Sequence, residues 1–286
     1  MQTGQRVAVA GMLVSGGLAV IKILAGMSGH STAVVADGFE SAADVIASGF
    51  VLFGLTLAAK PADDDHPYGH GRVETLTGLL IGMVLTLGGA FISWNAIRRV
   101  GEPHEVLAAF VIWPLLLSVA AKTGLASMKF HYAKKLQSDA LKADAWNDAT
   151  DTVSALAALT AVALALWDPV RFGEADRYGG FAVGLIVISA GVRVVRDTTL
   201  QLMDTMPDAS LIAQIRETAL AVPEVRGVEK CFARKTGFKY HVDLHLEVDP
   251  DMTVRRSHEL GHDVQLHIRE KLDWVADVLV HIEPAP

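Results

Sequence analysis

Six apolar blocks fill the first two hundred residues of the chain and limit its fold more than any other feature. A helix of about 20 residues spans roughly 30 Å, the thickness of the hydrocarbon core of a bilayer. Glycine and other small residues recur in the blocks, which suits close packing between membrane helices. The pattern predicts six transmembrane helices, at residues 7–27, 32–58, 76–97, 107–129, 140–166 and 178–200.

The composition is typical of a membrane protein with a soluble part. Of the 286 residues, 51% are hydrophobic and only 20% are charged. The net charge of −7 and the lack of a Lys/Arg tract exclude nucleic acid as a partner. The single Cys231 excludes an intrachain disulfide and a cysteine-cluster metal site. No convincing cleavage site follows the first apolar block, so we interpret it as a retained span.

The basic residues of the short connections predict the orientation. Nine Lys and Arg residues flank the spans on the side of the N-terminus, and four flank them on the other side. Because cytoplasmic loops carry the excess of Lys and Arg, both termini are expected in the cytoplasm. The short loops and the lack of targeting extensions favour a bacterial inner (plasma) membrane.

The second and fifth blocks carry matching sets of polar side chains. Each set follows the i, i+3, i+7 spacing that places side chains on one helical face. The sets are Asp37, Glu40 and Asp44, then Asp144, Asn147 and Asp151. A charge inside a bilayer costs about 2.5–3.5 kcal/mol on insertion scales, so such groups face one another, a cavity or an ion. We predict that the two faces share a divalent cation.

Lys22 and Lys122 lie too deep for flanking residues, and each is expected to snorkel or to pair with an acid.

The connection between the second and third blocks holds a second candidate metal site. Asp63, His66 and His70 place one carboxylate and two imidazoles within eight residues. Pro67 and the neighbouring glycines favour a turn that would gather them. The alternative is a solvated acidic loop with incidental histidines.

After residue 206 the pattern changes to that of a soluble α+β domain. The predicted elements are a helix from Asp208 to about Ala221, strands Val228–Arg234 and Lys239–Val248, a helix capped by Thr253 and running to about Leu272, and a strand Val275–Ile282. We therefore expect a transmembrane domain at 1–206 and a cytoplasmic αββαβ domain, ferredoxin- or metallochaperone-like, at 207–286. About 80 residues build only a small core, which favours dimerisation.

Histidine is concentrated in this second domain, which holds six of the eleven histidines. The pairs His241 with His245, His258 with His262, and His281 with Glu283 have spacings that place each pair on one face of a strand or helix. A core or surface role is the alternative for any one of them. As a group they indicate at least one zinc-like site.

Together these features resemble the cation diffusion facilitator family. The resemblance covers the whole chain, and it rests on the loop sequence Pro-Ala-Asp-Asp-Asp-His-Pro-Tyr-Gly-His-Gly, the paired acidic spans and the αββαβ tail. It implies a secondary active transporter, not an enzyme, that expels divalent metal ions in exchange for protons. It also implies a homodimer joined through the C-terminal domain, with metal ions as substrate and regulatory ligands and no prosthetic group.

The resemblance also implies the transport ligands. The family binds its substrate with two residue pairs, which correspond here to Glu40 with Asp44 and Asn147 with Asp151. Zinc transporters of the family usually carry His or Asp at the first position of each pair, so Glu40 and Asn147 depart from that pattern. Three carboxylates and an amide suit a harder ion such as Mn²⁺ and leave Mn²⁺, Fe²⁺, Zn²⁺, Co²⁺ and Cd²⁺ open.

The remaining candidate ligands fall at two further sites of the family. Asp63, His66 and His70 match the loop site. The positions that resemble the cytoplasmic binuclear site are His245, His258, His281, Glu283 and Glu229, the last where members often present His. His241 and His262 lie outside the matched motif and stay additional candidates.

Two other functions fit parts of the pattern. A metal-sensing or assembly scaffold would keep this fold without transport, and the unusual residues 40 and 147 favour it. An intramembrane aspartyl enzyme would need two carboxyl groups that share a proton, and it leaves the histidines unexplained.

Overall fold

The computed structural model describes residues 2–58, 60, 63–102, 107–136, 139–237 and 239–286. Long helices come first and a small mixed domain follows, which confirms the predicted fold class. The helices of the first part are α1 (Gln2–Ser28), α2 (Thr32–Ala58), α3 (Arg72–Arg98), α4 (Ile112–Leu136), α5 (Asp139–Trp167), the short α6 (Pro169–Phe172) and α7 (Ala175–Leu202).

Within the described part of the chain, five helices are long and apolar enough to cross a membrane, namely α1, α3, α4, α5 and α7. The sixth long helix, α2, has 27 residues and carries the predicted carboxylates, and its side chains from 47 to 58 lie outside the described residues. Most helices extend past the predicted apolar blocks, because helical hydrogen bonding continues beyond the hydrocarbon. The fourth instead begins at Ile112, after a 3₁₀ turn at Ala109–Val111.

A carboxylate on α7 holds the amino end of α2. Asp176 accepts hydrogen bonds from the Ser31 hydroxyl at 2.5 Å and from the Thr32 and Ala33 backbone N–H groups at 2.6 and 3.4 Å. N–H groups at the start of a helix lack intrahelical acceptors, and a negative charge there also favours the helix dipole. The contact fixes where α2 begins, and therefore the direction in which its later carboxylates point.

The tail has the predicted order of helices and strands. Its elements are α8 (Ala209–Leu220), β1 (Gly227–Thr236), β2 (Lys239–Val248), α9 (Val254–Lys271) and β3 (Val275–Pro284). The sheet order is β1-β2-β3, with β1 antiparallel and β3 parallel to β2. The parallel pair needs a crossover, and α9 supplies it.

Alternation along β2 separates the tail core from an open sheet face. Val242, Leu244, Leu246 and Val248 are buried in one cluster with Ile215 of α8 and with Leu260, Val264 and Ile268 of α9. The side chains between them, including His241 and His245, lie on the opposite, half-buried face. Both histidines therefore share the face that their spacing predicted.

The two tail helices begin where predicted but are capped differently. The Thr253 hydroxyl accepts a hydrogen bond from the Arg256 N–H at 3.3 Å, as an N-cap residue does. Asp208 occupies the N-cap position of α8, but its side chain makes no capping hydrogen bond. Its backbone carbonyl accepts from the Leu211 N–H at 2.9 Å instead.

The chain forms two compact units whose limits cut through the long helices. The first comprises Met1–Leu52 and Leu80–Val195. The second comprises Phe53–Leu79 and Arg196–Pro286, so it joins the connection between α2 and α3 to the tail. The carboxylates of α2 and α5 lie in the first unit, and the histidine-containing sites lie in the second.

Candidate metal centres

The three carboxylates of α2 lie on one face but have different partners. Asp37 is buried and forms an ion pair of 2.7 Å with Lys22. Glu40, also buried, accepts a 2.5 Å hydrogen bond from the Ser154 hydroxyl of α5. Asp44 lies 3.2 Å from the Lys122 ammonium of α4. Of the two alternatives for the deep lysines, snorkelling or pairing with an acid, the structure has the second for both.

The α5 helix contributes two aspartates to the same place. The Lys122 ammonium lies 2.6 Å from Asp151 and 3.6 Å from Asp148, as well as against Asp44. Asp148 also pairs with Lys129 at 2.5 Å. We call Lys122 with Asp44, Asp148 and Asp151 the Lys122 cluster. It brings one carboxylate from each predicted pair, Asp44 and Asp151, to a single positive charge.

Asn147 has a different environment from the other predicted transport ligands. Its side chain is exposed, whereas the next residue, Asp148, is only 3% exposed. The side chain of Asp144 lies outside the described residues. Asp148 and Ser154 are not among the residues that the sequence predicts as ligands. The available signal was their position three residues before and three residues after Asp151, since residues spaced by three are neighbours on a helix surface.

The loop site comes together as predicted from its turn residues. Asp63 lies 3.0 Å from His66 Nδ1 and 3.5 Å from His70 Nε2, and the two rings are 4.3 Å apart. Backbone hydrogen bonds in both directions between Asp63 and His66 close the turn, and Gly69 takes a positive φ of 78° within it. The hydrogen bond from His66 lowers the pKa of Asp63, so the carboxylate is favoured.

One buried nitrogen of the loop site, His70 Nδ1, has no hydrogen-bond partner among the described residues. A buried polar atom of this kind is costly unless it binds water or an ion. Two imidazoles and a carboxylate, with ligand atoms within 4.8 Å of one another, are donors that suit a zinc-like ion.

A second group of ligand atoms lies on the open face of the tail sheet. His245 and His281 are register partners on β2 and β3, and their rings are 4.9 Å apart. Glu283 lies 2.6 Å from His245 Nδ1 and 3.8 Å from His281 Nε2. Hydrogen bonds of Glu283 with Glu229 and with His245 lower its pKa, so Glu229 belongs to the same surroundings.

The other tail histidines lie elsewhere. His258 and His262 are exposed on α9, with their rings 4.6 Å apart. His241 contacts the ring of Tyr68 at 6.0 Å, and burial followed by the Arg234 charge lowers its pKa. His258 is therefore outside the group that the described residues form around His245.

Comparison with known proteins decides the family. The cation efflux transmembrane domain matches residues 8–203, and the cytoplasmic domain of cation efflux proteins matches residues 207–285. The chain belongs to the cation diffusion facilitator family. It is therefore an integral membrane protein of a family of divalent metal transporters, and this membership supports divalent metal efflux as its function.

Relatives of this facilitator occur in plants and bacteria. It is 31% identical to metal tolerance protein C1 of Arabidopsis thaliana over 99% of this chain, which spans 63% of the plant protein. It is 29% identical to the manganese efflux system protein MneP of Bacillus subtilis, covering 99% of this chain and 97% of that one. A solved cadmium form of the MamM CTD is 31% identical with a TM-score of 0.27, over 27% of this chain and 98% of that one.

Proposed function

We propose that this facilitator exports a divalent transition-metal ion from the cytoplasm in exchange for protons. The observation that supports it most is the approach of Asp44 on α2 and Asp151 on α5 to one buried cation, Lys122. Carboxylates gathered so deep in an apolar bundle need a positive charge, and the substrate would supply it during transport.

Manganese is the ion that we propose first. Glu40, Asp44, Asn147 and Asp151 offer only oxygen atoms, and oxygen ligands suit Mn²⁺ better than the imidazoles typical of zinc sites. The likeness to a manganese efflux protein that is matched over 97% of its length points the same way. Zn²⁺, Fe²⁺, Co²⁺ and Cd²⁺ form the comparison set.

Proton exchange follows from the chemistry of these ligands. A carboxylate must be ionised to bind the metal, so binding from the cytoplasm releases protons. Protons from a more acidic outer side then compete with the ion for the same oxygens and favour its release outward. The termini would lie in the cytoplasm of a bacterial inner membrane, where the loop and tail sites would meet incoming metal.

The tail would join two copies of the chain and respond to metal. His245, His281 and Glu283, with Glu229 beside them, supply nitrogen and oxygen donors to a zinc-like regulatory ion, and Asp63, His66 and His70 supply the loop site. A bound ion would favour one arrangement of the dimer only to the extent that it binds that arrangement more tightly.

A flux assay tests the proposal. Full-length protein in vesicles is expected to move Mn²⁺ when a pH gradient is present and to slow when the gradient is collapsed. Asp44→Ala and Asp151→Ala should abolish movement of the ion while the protein still folds. Asp197→Ala removes an exposed carboxylate of α7 and should leave movement of the ion unchanged. Flux that survives both substitutions would contradict this transport site, and a folded wild type without flux for any of the five ions would favour the scaffold.

A further inference from the structure

The Lys122 ammonium occupies the place that the proposed function gives to the substrate. The residue is 1% exposed on α4, a helix that contributes none of the proposed transport ligands. Its Nζ contacts Asp151 at 2.6 Å and Asp44 at 3.2 Å, one residue from each ligand pair. Both contacts are made to Oδ2 atoms, and a metal ion that takes those oxygens meets the ammonium at short range, where the two positive charges repel.

Carboxylates outnumber lysines around the Lys122 cluster. The charged side chains of this region described so far are the carboxylates Asp37, Glu40, Asp44, Asp148 and Asp151 and the lysines Lys22, Lys122 and Lys129. Glu40 bonds to Ser154, and the others form ion pairs among themselves. With all of them ionised, the formal charge is minus two. Among these described side chains the carboxylates therefore outnumber the lysines, and the region favours an added cation.

Asp148 gives the ammonium a place to which it can withdraw. It lies 3.6 Å from Lys122 Nζ, is 3% exposed and is not one of the proposed ligands. A lysine stem has four rotatable methylene groups, so Nζ can leave Asp44 and Asp151 and move closer to Asp148 while the helix backbone stays in place. The charge thus keeps a carboxylate partner when an ion enters, as a buried charge requires.

We propose that Lys122 is a tethered cation that competes with the substrate ion for Asp44 and Asp151. Resting on the proposed function, this assigns Lys122 as a positioning residue that sets the affinity of the transport site. With the ion absent, the ammonium offsets part of the charge of Asp44 and Asp151, and the exchanged protons neutralise the rest while the site returns through the membrane. With the ion bound, the displaced ammonium repels it and promotes its release.

Competition of this kind also selects for charge. A divalent ion gains more from the two carboxylates than the ammonium that it displaces, whereas Na⁺ or K⁺ carries the same single charge as the ammonium and gains no such advantage. Without the tethered charge, a monovalent ion would meet an empty anionic site. The wild type should therefore be insensitive to excess Na⁺, and a variant without the ammonium should be inhibited by it.

Lys22 provides the matched control. It is also 1% exposed, but it bonds to Asp37, Ser41 and Ser118 and not to the ligands Asp44 and Asp151 in the described contacts. Lys22→Met removes the same charge from the same unit and keeps an unbranched stem of similar length. An effect common to both lysine variants would reflect loss of a buried ion pair, and an effect specific to Lys122 would reflect competition.

The test measures the half-saturating Mn²⁺ concentration and the maximal rate separately in vesicles. Lys122→Met should lower the half-saturating concentration about tenfold, equivalent to about 1.4 kcal/mol, and should lower the maximal rate because release slows. Lys22→Met should leave the half-saturating concentration within about twofold, as expected for a site without shared ligands. A folded Lys122→Met protein with an unchanged or raised value overturns the inference.

Asp148→Asn keeps the proposal testable if Lys122→Met does not fold. Weakening the place of withdrawal strengthens the hold of Lys122 on Asp44 and Asp151, so the half-saturating concentration should rise; an unchanged or lower value overturns the inference. Asp44→Ala and Asp151→Ala distinguish a failure of the proposed transport function from a failure of the competition by Lys122. If they retain transport, the proposed function itself fails, and if they abolish it while Lys122→Met has no effect on affinity, only the competition fails.

Discussion

Single hydrogen bonds decide how the carboxylates of the transport site point. Glu40 has three rotatable side-chain bonds, and the direction of a long acid inside an apolar bundle is set by the groups that donate hydrogen bonds to it. Ser154 is fully buried on α5 and donates to Glu40 at 2.5 Å. This hydrogen bond links the two helices that carry the ligand pairs, and it orients the acid that replaces the histidine or aspartate usual in the zinc transporters of the family.

Ser154→Ala therefore tests whether Glu40 needs to be oriented. The substitution removes one oxygen and leaves a buried acid without that donor, a loss of about 1.5–3 kcal/mol for a hydrogen bond to a charged group. We expect a higher half-saturating ion concentration in the flux assay and lower thermal stability in detergent. Ser189→Ala is the control, because Ser189 is exposed and its hydroxyl donates to the Ile186 carbonyl of its own helix. Equal half-saturating concentrations in Ser154→Ala and wild type would contradict an orienting role.

At the scale of elements, the long helices, the tail and the shared face of the α2 carboxylates were predictable, and the inward face of α5 was not. Apolar blocks of membrane length and alternation such as that of Val242, Leu244 and Leu246 arise from local spacing, which the sequence displays directly. Which face of α5 turns inward depends on packing against α2 and α4. Spacing alone therefore did not distinguish Asp148, which is buried, from Asn147, which is exposed. Likewise, the deep position of Lys122 in the fourth block indicated that its charge needs compensation, but it did not identify the acids that Lys122 contacts.

The connection between α2 and α3 shows how one element holds another in place. A side chain on Gly71 would meet the carbonyl of Thr236 at 2.8 Å, so the loop lies directly against the turn between β1 and β2. Tyr68 strengthens the contact, with the Arg234 guanidinium 5.7 Å from the centre of its ring. His70, a proposed loop ligand, is the residue before this point of closest approach.

Gly71→Ala should displace the loop from the turn and weaken the loop metal site. The added methyl group meets backbone atoms, which cannot rotate away, so the chain around His70 must move. We expect fewer Zn²⁺ or Co²⁺ ions bound per chain in full-length protein, measured by equilibrium dialysis. Gly124→Ala is the matched control, since a methyl group there meets nothing within 4 Å. Unchanged stoichiometry in Gly71→Ala would show that the site tolerates the displacement.

At the scale of the whole molecule, the open face of the tail sheet is the surface best suited to a second copy of the chain. Phe232 and Leu279 are 49% and 68% exposed there. They lie beside the ligand group, since the Phe232 ring is 6.4 Å from that of His245, and Leu279 is two residues from His281 on the same strand. Large exposed apolar side chains grouped on one face mark an interaction surface, where they form the apolar core of an interface. The proposed dimer would cover them and would bring its regulatory ion close to the junction of the two tails.

Replacing both apolar residues tests this surface without touching a proposed ligand. Phe232→Glu with Leu279→Glu should convert a dimer into a monomer of 30.5 kDa plus detergent, because two buried acids per tail would lack partners in the interface. Light scattering in detergent measures the mass.

Leu266→Glu is the control, since that side chain is 56% exposed on α9 rather than on the open sheet face. Both proteins should keep the helix and strand content of the wild type by circular dichroism, because the core of the tail lies on the other side of the sheet. A double variant that still has the mass of a dimer would move the interface away from this face, and the tail histidines would then have to act within one chain.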